Sequence, residues 1–103
     1  MFDIWKAKRL ATRVSLVVPV VIEGEDLSNS SFREETTTEN VSKSGACIIA
    51  QRQIKLGTLI TIIASEGKFR SQAIVKRIWI DDRNKKTKIG IQFSGPVQNW
   101  VLS

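Results

Sequence analysis

From Val14 onward, apolar and polar positions alternate. Val14, Leu16, Val18, Val20 and Ile22 fall on one face of an extended chain, with Ser15, Val17, Pro19, Val21 and Glu23 on the other. Side chains of a strand point alternately to its two faces, so the pattern predicts a first strand. Pro19 has no N–H to give to a ladder and marks an edge or a bulge. Residues 23–31 are polar and predict a loop. Residues 34–41 are rich in threonine, a β-branched type that suits a pleated surface, and predict a second strand. A turn over 40–45 leads to a third strand at 46–50, and Leu56-Gly57 marks another turn. A fourth strand is predicted at 58–64 and a hairpin loop at Ser65-Glu66-Gly67. A long fifth strand covers 68–80, with Phe69, Ala73, Val75 and Trp79 as its apolar side and Ile74 and Ile78 on the other. After a charged turn at 81–85, residues 86–93 form a sixth strand with Ile89, Ile91 and Phe93 inward.

Six short strands joined by turns, without an amphipathic helix, predict an all-β fold, either a barrel or a sandwich. The remainder is a basic arm at 1–13, in which Phe2, Ile4 and Trp5 interrupt the charge, and a tail at 94–103 carrying Pro96 and Trp100. A chain of 103 residues has room for one modest core, so a single domain is expected. No apolar run approaches the roughly 20 residues that span a bilayer. The start of the chain has no apolar signal segment, so a soluble, cytoplasmic protein is expected.

Charge narrows the partner. Sixteen Lys and Arg against ten Asp and Glu give a net charge of +6, which favours an anionic ligand or surface. The charge is segregated. Lys6, Lys8, Arg9 and Arg13 crowd the arm, residues 23–39 are acidic with Arg33 as their only base, and residues 66–88 are basic again. An acidic middle segment fits steering toward a compact anion better than a general nucleic-acid coat.

The residue inventory removes whole classes of chemistry. There is no histidine and one cysteine, Cys47. A disulfide within the chain is excluded, and transition-metal sites and histidine acid–base catalysis have almost nothing to work with. Cys47 lies in an apolar context and reads as a small core hydrophobe. Asp81-Asp82 is a candidate carboxylate pair, but it sits in a charged turn beside Arg83 and reads as solvated. No base is at hand to activate a serine or threonine. An enzyme is therefore not expected, nor a metal or other cofactor.

Two polar clusters carry candidate binding chemistry. The first is Arg9-Leu10-Ala11-Thr12-Arg13, two arginines four apart before the first strand. A guanidinium fork pairs bidentately with phosphate oxygens and matches the O6 and N7 acceptors of guanine. Solvated surface charge is the competing reading. The second is Asn40-Val41-Ser42-Lys43-Ser44-Gly45. Asn40 and Ser42 share a side of an extended chain and offer donors and acceptors. Gly45 is free to take a left-handed conformation or to let a ligand approach the backbone. An ordinary turn explains the same residue types.

In order and together, the clusters resemble the signature of the PilZ domain family, bacterial receptors for cyclic di-GMP: R-x-x-x-R ahead of the first strand, then [DN]-x-S-x-x-G. Arg9 and Arg13 fill the first motif; Asn40, Ser42 and Gly45 fill the second. Ala46, Leu56-Gly57-Thr58, Trp79 and Gly90-Ile91-Gln92-Phe93 resemble further family features, although Val75 and Trp79 stand farther apart than usual. The resemblance spans roughly residues 6–100. It implies a six-stranded antiparallel β-barrel at 14–93 with a flexible basic arm at 1–13 that clamps the ligand. It also implies roles: Arg9 and Arg13 on guanine and phosphate, Asn40 and Ser42 on a base edge and phosphate, Gly45 leaving room for the ring. Lys8, before the first arginine, accompanies binding of a stacked ligand pair in this family. Binding would order the arm and change a contact with a partner protein. Two alternatives stay open: a PilZ-fold adaptor that works through protein contacts without ligand, and a nucleic-acid-binding barrel. Single-strand binders need exposed stacking aromatics, and the Phe and Trp residues here fall mostly at inward positions or in the tails.

Overall fold

The computed structural model describes residues 13–101. The strands are β1 (Val14–Ser15), β2 (Pro19–Glu25), β3 (Ser31–Val41), β4 (Gly45–Ile49), β5 (Leu59–Ala64), β6 (Phe69–Asp81) and β7 (Lys86–Phe93), with a 3₁₀ turn at Ser65–Gly67. All pairings are antiparallel. The sheet runs β1-β3-β2-β5-β6-β7-β4, and a further β3–β4 pairing closes it. Six strands thus form a closed barrel, and closure leaves no long sheet edge exposed. The two-residue β1 adds to the far end of β3, pairing Val14 with Val41 and Ser15 with Asn40.

The predicted first strand is therefore two. The chain leaves the sheet over Leu16, Val17 and Val18 and re-enters at Pro19, the first residue of β2 and a place where a missing N–H is tolerated. Thr38 bridges the break: its Oγ1 donates to the carbonyl of Leu16 at 2.7 Å and accepts from the Val18 N–H at 2.9 Å. Val20 and Ile22 enter the core, whereas Val14 and Leu16, expected on the same face, stay 41% and 39% exposed. The loop expected at 23–31 is shorter, because β2 runs to Glu25 and β3 starts at Ser31. The Asp26 carboxylate closes that loop by accepting from the N–H groups of Ser28 and Ser30.

The barrel interior follows the period-two reading. Val20, Ile22, Phe32, Val41, Ile48, Ile60, Ile62, Phe69, Val75, Ile89, Ile91 and Phe93 are buried together. Each such side chain contributes roughly 1.5–3 kcal/mol on leaving water. Trp100, from the tail, joins this core and packs on Phe69 and Phe93 with ring centroids 4.7 and 4.9 Å apart.

Two β-bulges shape the outer face. Thr38 opposes Ile48 but Asn40 opposes Cys47, so Glu39 is an extra residue in β3. Val75 opposes Ile91 but Arg77 opposes Gly90, so Lys76 is an extra residue in β6. A bulge reverses the alternation beyond it. Ile78 therefore lies opposite the core residue Ile89, and Trp79 lies opposite Lys88. This corrects the expectation that Trp79 points inward with Val75.

Candidate functional site

The pairing of β3, β4, β7 and β6 sets the floor of one outer face. Ala46–Ile91 and Ile48–Ile89 are core pairs, so the intervening pair Cys47–Gly90 turns the other way. Asn40 continues this row on β3 and Arg77 continues it on β6. Four charged groups act on the thiol of Cys47: Glu39, Lys88, Arg13 and Arg77. Arg13 bonds to Asn40 and Lys88 pairs with Glu39 beside the Asn40–Cys47–Gly90–Arg77 row, so residues from the start of the chain, β3, β6 and β7 share this face. Burial is the main influence on the thiol and raises its pKa, so it stays protonated and unreactive at neutral pH.

Arg13, exposed just before β1, donates from Nη1 to Asn40 Oδ1 at 2.9 Å. Two residues that the sequence pattern placed in separate motifs, 27 positions apart, are in direct contact. Lys8 and Arg9 lie outside the described residues.

The turn from Ser42 to Gly45 lies beside this contact. Ser42 is buried, with its hydroxyl 3.5 Å from Ser44 Oγ and 3.4 Å from the Gly45 carbonyl. These are long for hydroxyl hydrogen bonds. The backbone is held more firmly. Ser42 N–H donates to the Gly45 carbonyl at 2.9 Å, Phe93 N–H to the Ser44 carbonyl at 2.8 Å, and Trp100 Nε1–H to the Ser42 carbonyl at 2.8 Å. Gly45 has no positive φ. Glycine is required there because a Cβ would overlap the carbonyl oxygen of Ile91. The left-handed conformation considered from sequence is not what the site uses.

Sequence reasoning assigned no site role to Arg77 or Lys88, and took Trp79 and Gly90 only as family features. The Arg77 guanidinium lies over the Trp79 ring, 4.5 Å from its centroid, a stacked cation–π pair. Gly90 lies beneath them: a Cβ there would stand 3.5 Å from Arg77 Cβ and 3.8 Å from the Trp79 ring. Beside them Lys88 is 3% exposed, with its ammonium 2.5 Å from Asp81 Oδ2 and 2.6 Å from Glu39 Oε2. The hydrogen bond from Lys88 is the largest influence on Asp81, followed by the N–H of Arg83, and its pKa falls well below the usual carboxylate range. Asp81 in turn raises the pKa of Lys88, with Glu39 adding to it. Asp81, expected to be solvated alongside Asp82, is instead a mostly buried ion-pair partner. Chain signals for these residues were weak, because bulge positions decide which way Trp79 and Glu39 face.

A groove of about 700 Å³ lies elsewhere, between β2, β3 and the Ser65–Gly67 turn, lined by Val21, Arg33, Thr37, Ile63 and Arg70 among others. Its two arginines are tied to Glu23. None of the residues selected from sequence lines it, and the convergence on Cys47 is the better candidate.

Comparison with known proteins bears on the fold and the family. No curated protein matches the sequence. Among solved structures, the chain is similar to the Bacillus subtilis inhibitor of motility, MotI/DgrA, with a TM-score of 0.66 and 21% identity. That match covers 86% of this chain and 43% of the other, so this chain spans less than half of MotI. At that identity it shows the shared fold, a six-stranded barrel. The PilZ domain description matches residues 7–99, a span that takes in both arginines, Asn40, Ser42 and Gly45 as well as the whole barrel. The chain belongs to the PilZ domain family.

Proposed function

We propose that this protein is a cyclic di-GMP receptor without catalytic activity, and that the face around Asn40, Cys47 and Gly90 seats the nucleotide. The observation that carries the reading is the 2.9 Å contact from Arg13 to Asn40 in a chain of this family. It brings the end of the arginine motif onto the first residue of the asparagine motif.

Arg9 and Arg13, with Lys8 beside them, bind the phosphates and a guanine O6/N7 edge. Asn40 exchanges its contact with Arg13 for ligand atoms. The Ser42 hydroxyl, whose present contacts are long, turns to a ligand oxygen. Gly45 holds the turn against β7. The Arg77–Trp79 stack supplies a flat surface for a purine. Charged hydrogen bonds contribute roughly 1.5–3 kcal/mol each, enough for several of them to offset an ordering cost of about 1–2 kcal/mol per fixed residue in residues 1–13. Ordering those residues across the barrel presents a new surface to a partner protein. The site is expected to work in the cytoplasm; no helix among the described residues is long and apolar enough to cross a membrane.

Calorimetric titration with cyclic di-GMP tests the reading. The wild type binds, and Arg9→Ala and Arg13→Ala each bind at least about tenfold more weakly, near 1.4 kcal/mol. A wild type that binds no cyclic di-GMP overturns the receptor and leaves the ligand-free adaptor.

A further inference from the structure

The candidate face is electrically divided. Arg13, on Asn40, and Arg77 stand at the two ends of the row through Cys47 and Gly90, while Glu39 and Asp81 meet Lys88 and Arg83 in an ion cluster beside it. Phosphates belong with the arginines. A carboxylate left partly open on a face proposed to meet a dianionic ligand needs another explanation.

Its placement supplies one. The bulge in β3 sets Glu39 as an extra residue immediately before Asn40. Its side chain reaches past β4 to Lys88, which is the cross-strand neighbour of Trp79. Lys88 is 3% exposed while the Glu39 side chain remains 34% exposed. One carboxylate is thus fixed through Oε2 by a buried ammonium whose residue pairs with Trp79 across the strands, and it stays partly open to solvent. A carboxylate has about four acceptor sites, and Lys88 takes one. Guanine carries two adjacent donors on one edge, N1–H and the 2-amino group, and no other common base does. A purine lying on the stack would turn such an edge toward Glu39.

We propose that Glu39 is the base-reading residue of this site, its carboxylate accepting the N1–H and 2-amino hydrogens of a guanine stacked beside Trp79. The proposal rests on the receptor reading above and deepens it. Lys88 is a positioning residue: it fixes the carboxylate in advance, so little conformational freedom is lost when the base arrives. A site built around such hydrogen bonds rejects analogues that lack the matching donor, because its own polar groups are then left unpaired.

The test compares cyclic di-GMP with its hypoxanthine analogue, which lacks only the 2-amino group, on the full chain and on Glu39→Gln. The sign of the change is informative. If Glu39 serves only to pair with Lys88, removing its charge makes the face less repulsive to a dianion, and binding strengthens or holds. If Glu39 reads the base, Glu39→Gln binds cyclic di-GMP at least about tenfold more weakly, and the wild type's preference over the analogue shrinks toward unity. A Glu39→Gln protein that binds cyclic di-GMP as well as or better than the wild type overturns the proposal. So does an equal loss for both ligands, which marks general damage to the site. A wild type that binds neither ligand overturns the receptor reading and this proposal with it. A wild type that binds cyclic di-GMP normally while Glu39→Gln is unaffected overturns this proposal alone.

Discussion

The indole N–H of Trp100 donates to the carbonyl oxygen of Ser42 at 2.8 Å, from 58 residues farther along the chain. Trp100 is 3% exposed and packs on Phe69 and Phe93, so the tail ties the motif turn to the aromatic end of the core. A shallow cleft of about 400 Å³ between Lys43, Ser44 and the Gly95-Pro96-Val97 segment runs alongside this tie. Any displacement of the turn is therefore felt by the tail.

Replacing Trp100 separates packing from hydrogen bonding. Trp100→Phe keeps most of the aromatic contact and leaves the Ser42 carbonyl without its indole donor, at an expected cost of about 1–3 kcal/mol. Trp100→Ala also opens a cavity and costs about 3–5 kcal/mol. Urea unfolding of the two variants beside the wild type measures both. Equal stability of Trp100→Phe and the wild type would show that the indole N–H contributes nothing.

Gly45 gives a sharper steric prediction. Any Cβ there meets the carbonyl oxygen of Ile91, and backbone yields less readily than the end of a side chain. Gly45→Ala is expected to destabilise by at least about 2 kcal/mol, as overpacking does, and to displace the turn from Ser42 to Gly45. Gly95→Ala is the control, because nothing lies within 4 Å of a Cβ at that position. Thermal melts should show a clear drop for the first and almost none for the second.

The ion cluster predicts a pH dependence. Asp81 has its folded-state pKa depressed, chiefly by Lys88. A carboxyl depressed in this way stabilises the fold above its unfolded pKa, near 3.9. That contribution is lost as pH falls through the acid range toward the folded-state value. Thermal melts of the wild type should therefore drop steeply below about pH 4. Asp81→Asn should start less stable at neutral pH and decline less on acidification. Parallel melting curves for the two proteins across that range would exclude the linkage.

Much of the barrel was legible because alternation alone assigns an inner face. Val20 and Ile22, Ile60 and Ile62, and Ile89, Ile91 and Phe93 are where period two puts them. The break after Ser15 was not legible, since it depends on Thr38 capturing the carbonyl and N–H groups that Leu16 and Val18 turn away from the sheet. The bulge in β6 was not legible either. Its existence is set by pairing with β7, and it alone turns Trp79 from the core to the outer face. At the site, Arg13 and Asn40 were identified from motif order, and the structure joins them. In the sequence Lys88 is only the last base of the basic stretch at 66–88. Its burial comes from two carboxylates, 49 and 7 residues away in sequence order, that meet it only in the closed barrel.

Salt separates a small anionic ligand from a nucleic acid. A cyclic dinucleotide carries two phosphates, so binding it neutralises few charges and releases few counterions. A protein that makes 6–10 phosphate contacts with DNA loses about 10³–10⁵ in affinity between 50 and 200 mM salt. Cyclic di-GMP affinity should fall over the same range by less than about tenfold, the modest screening expected for a few partly exposed ion pairs. The basic stretch at 66–88 and the net charge of +6 are what leave nucleic acid open as a rival. Titrations with cyclic di-GMP and with single-stranded DNA at both salt concentrations decide between them. A steep salt slope together with tighter binding to the DNA would assign the basic surface to nucleic acid.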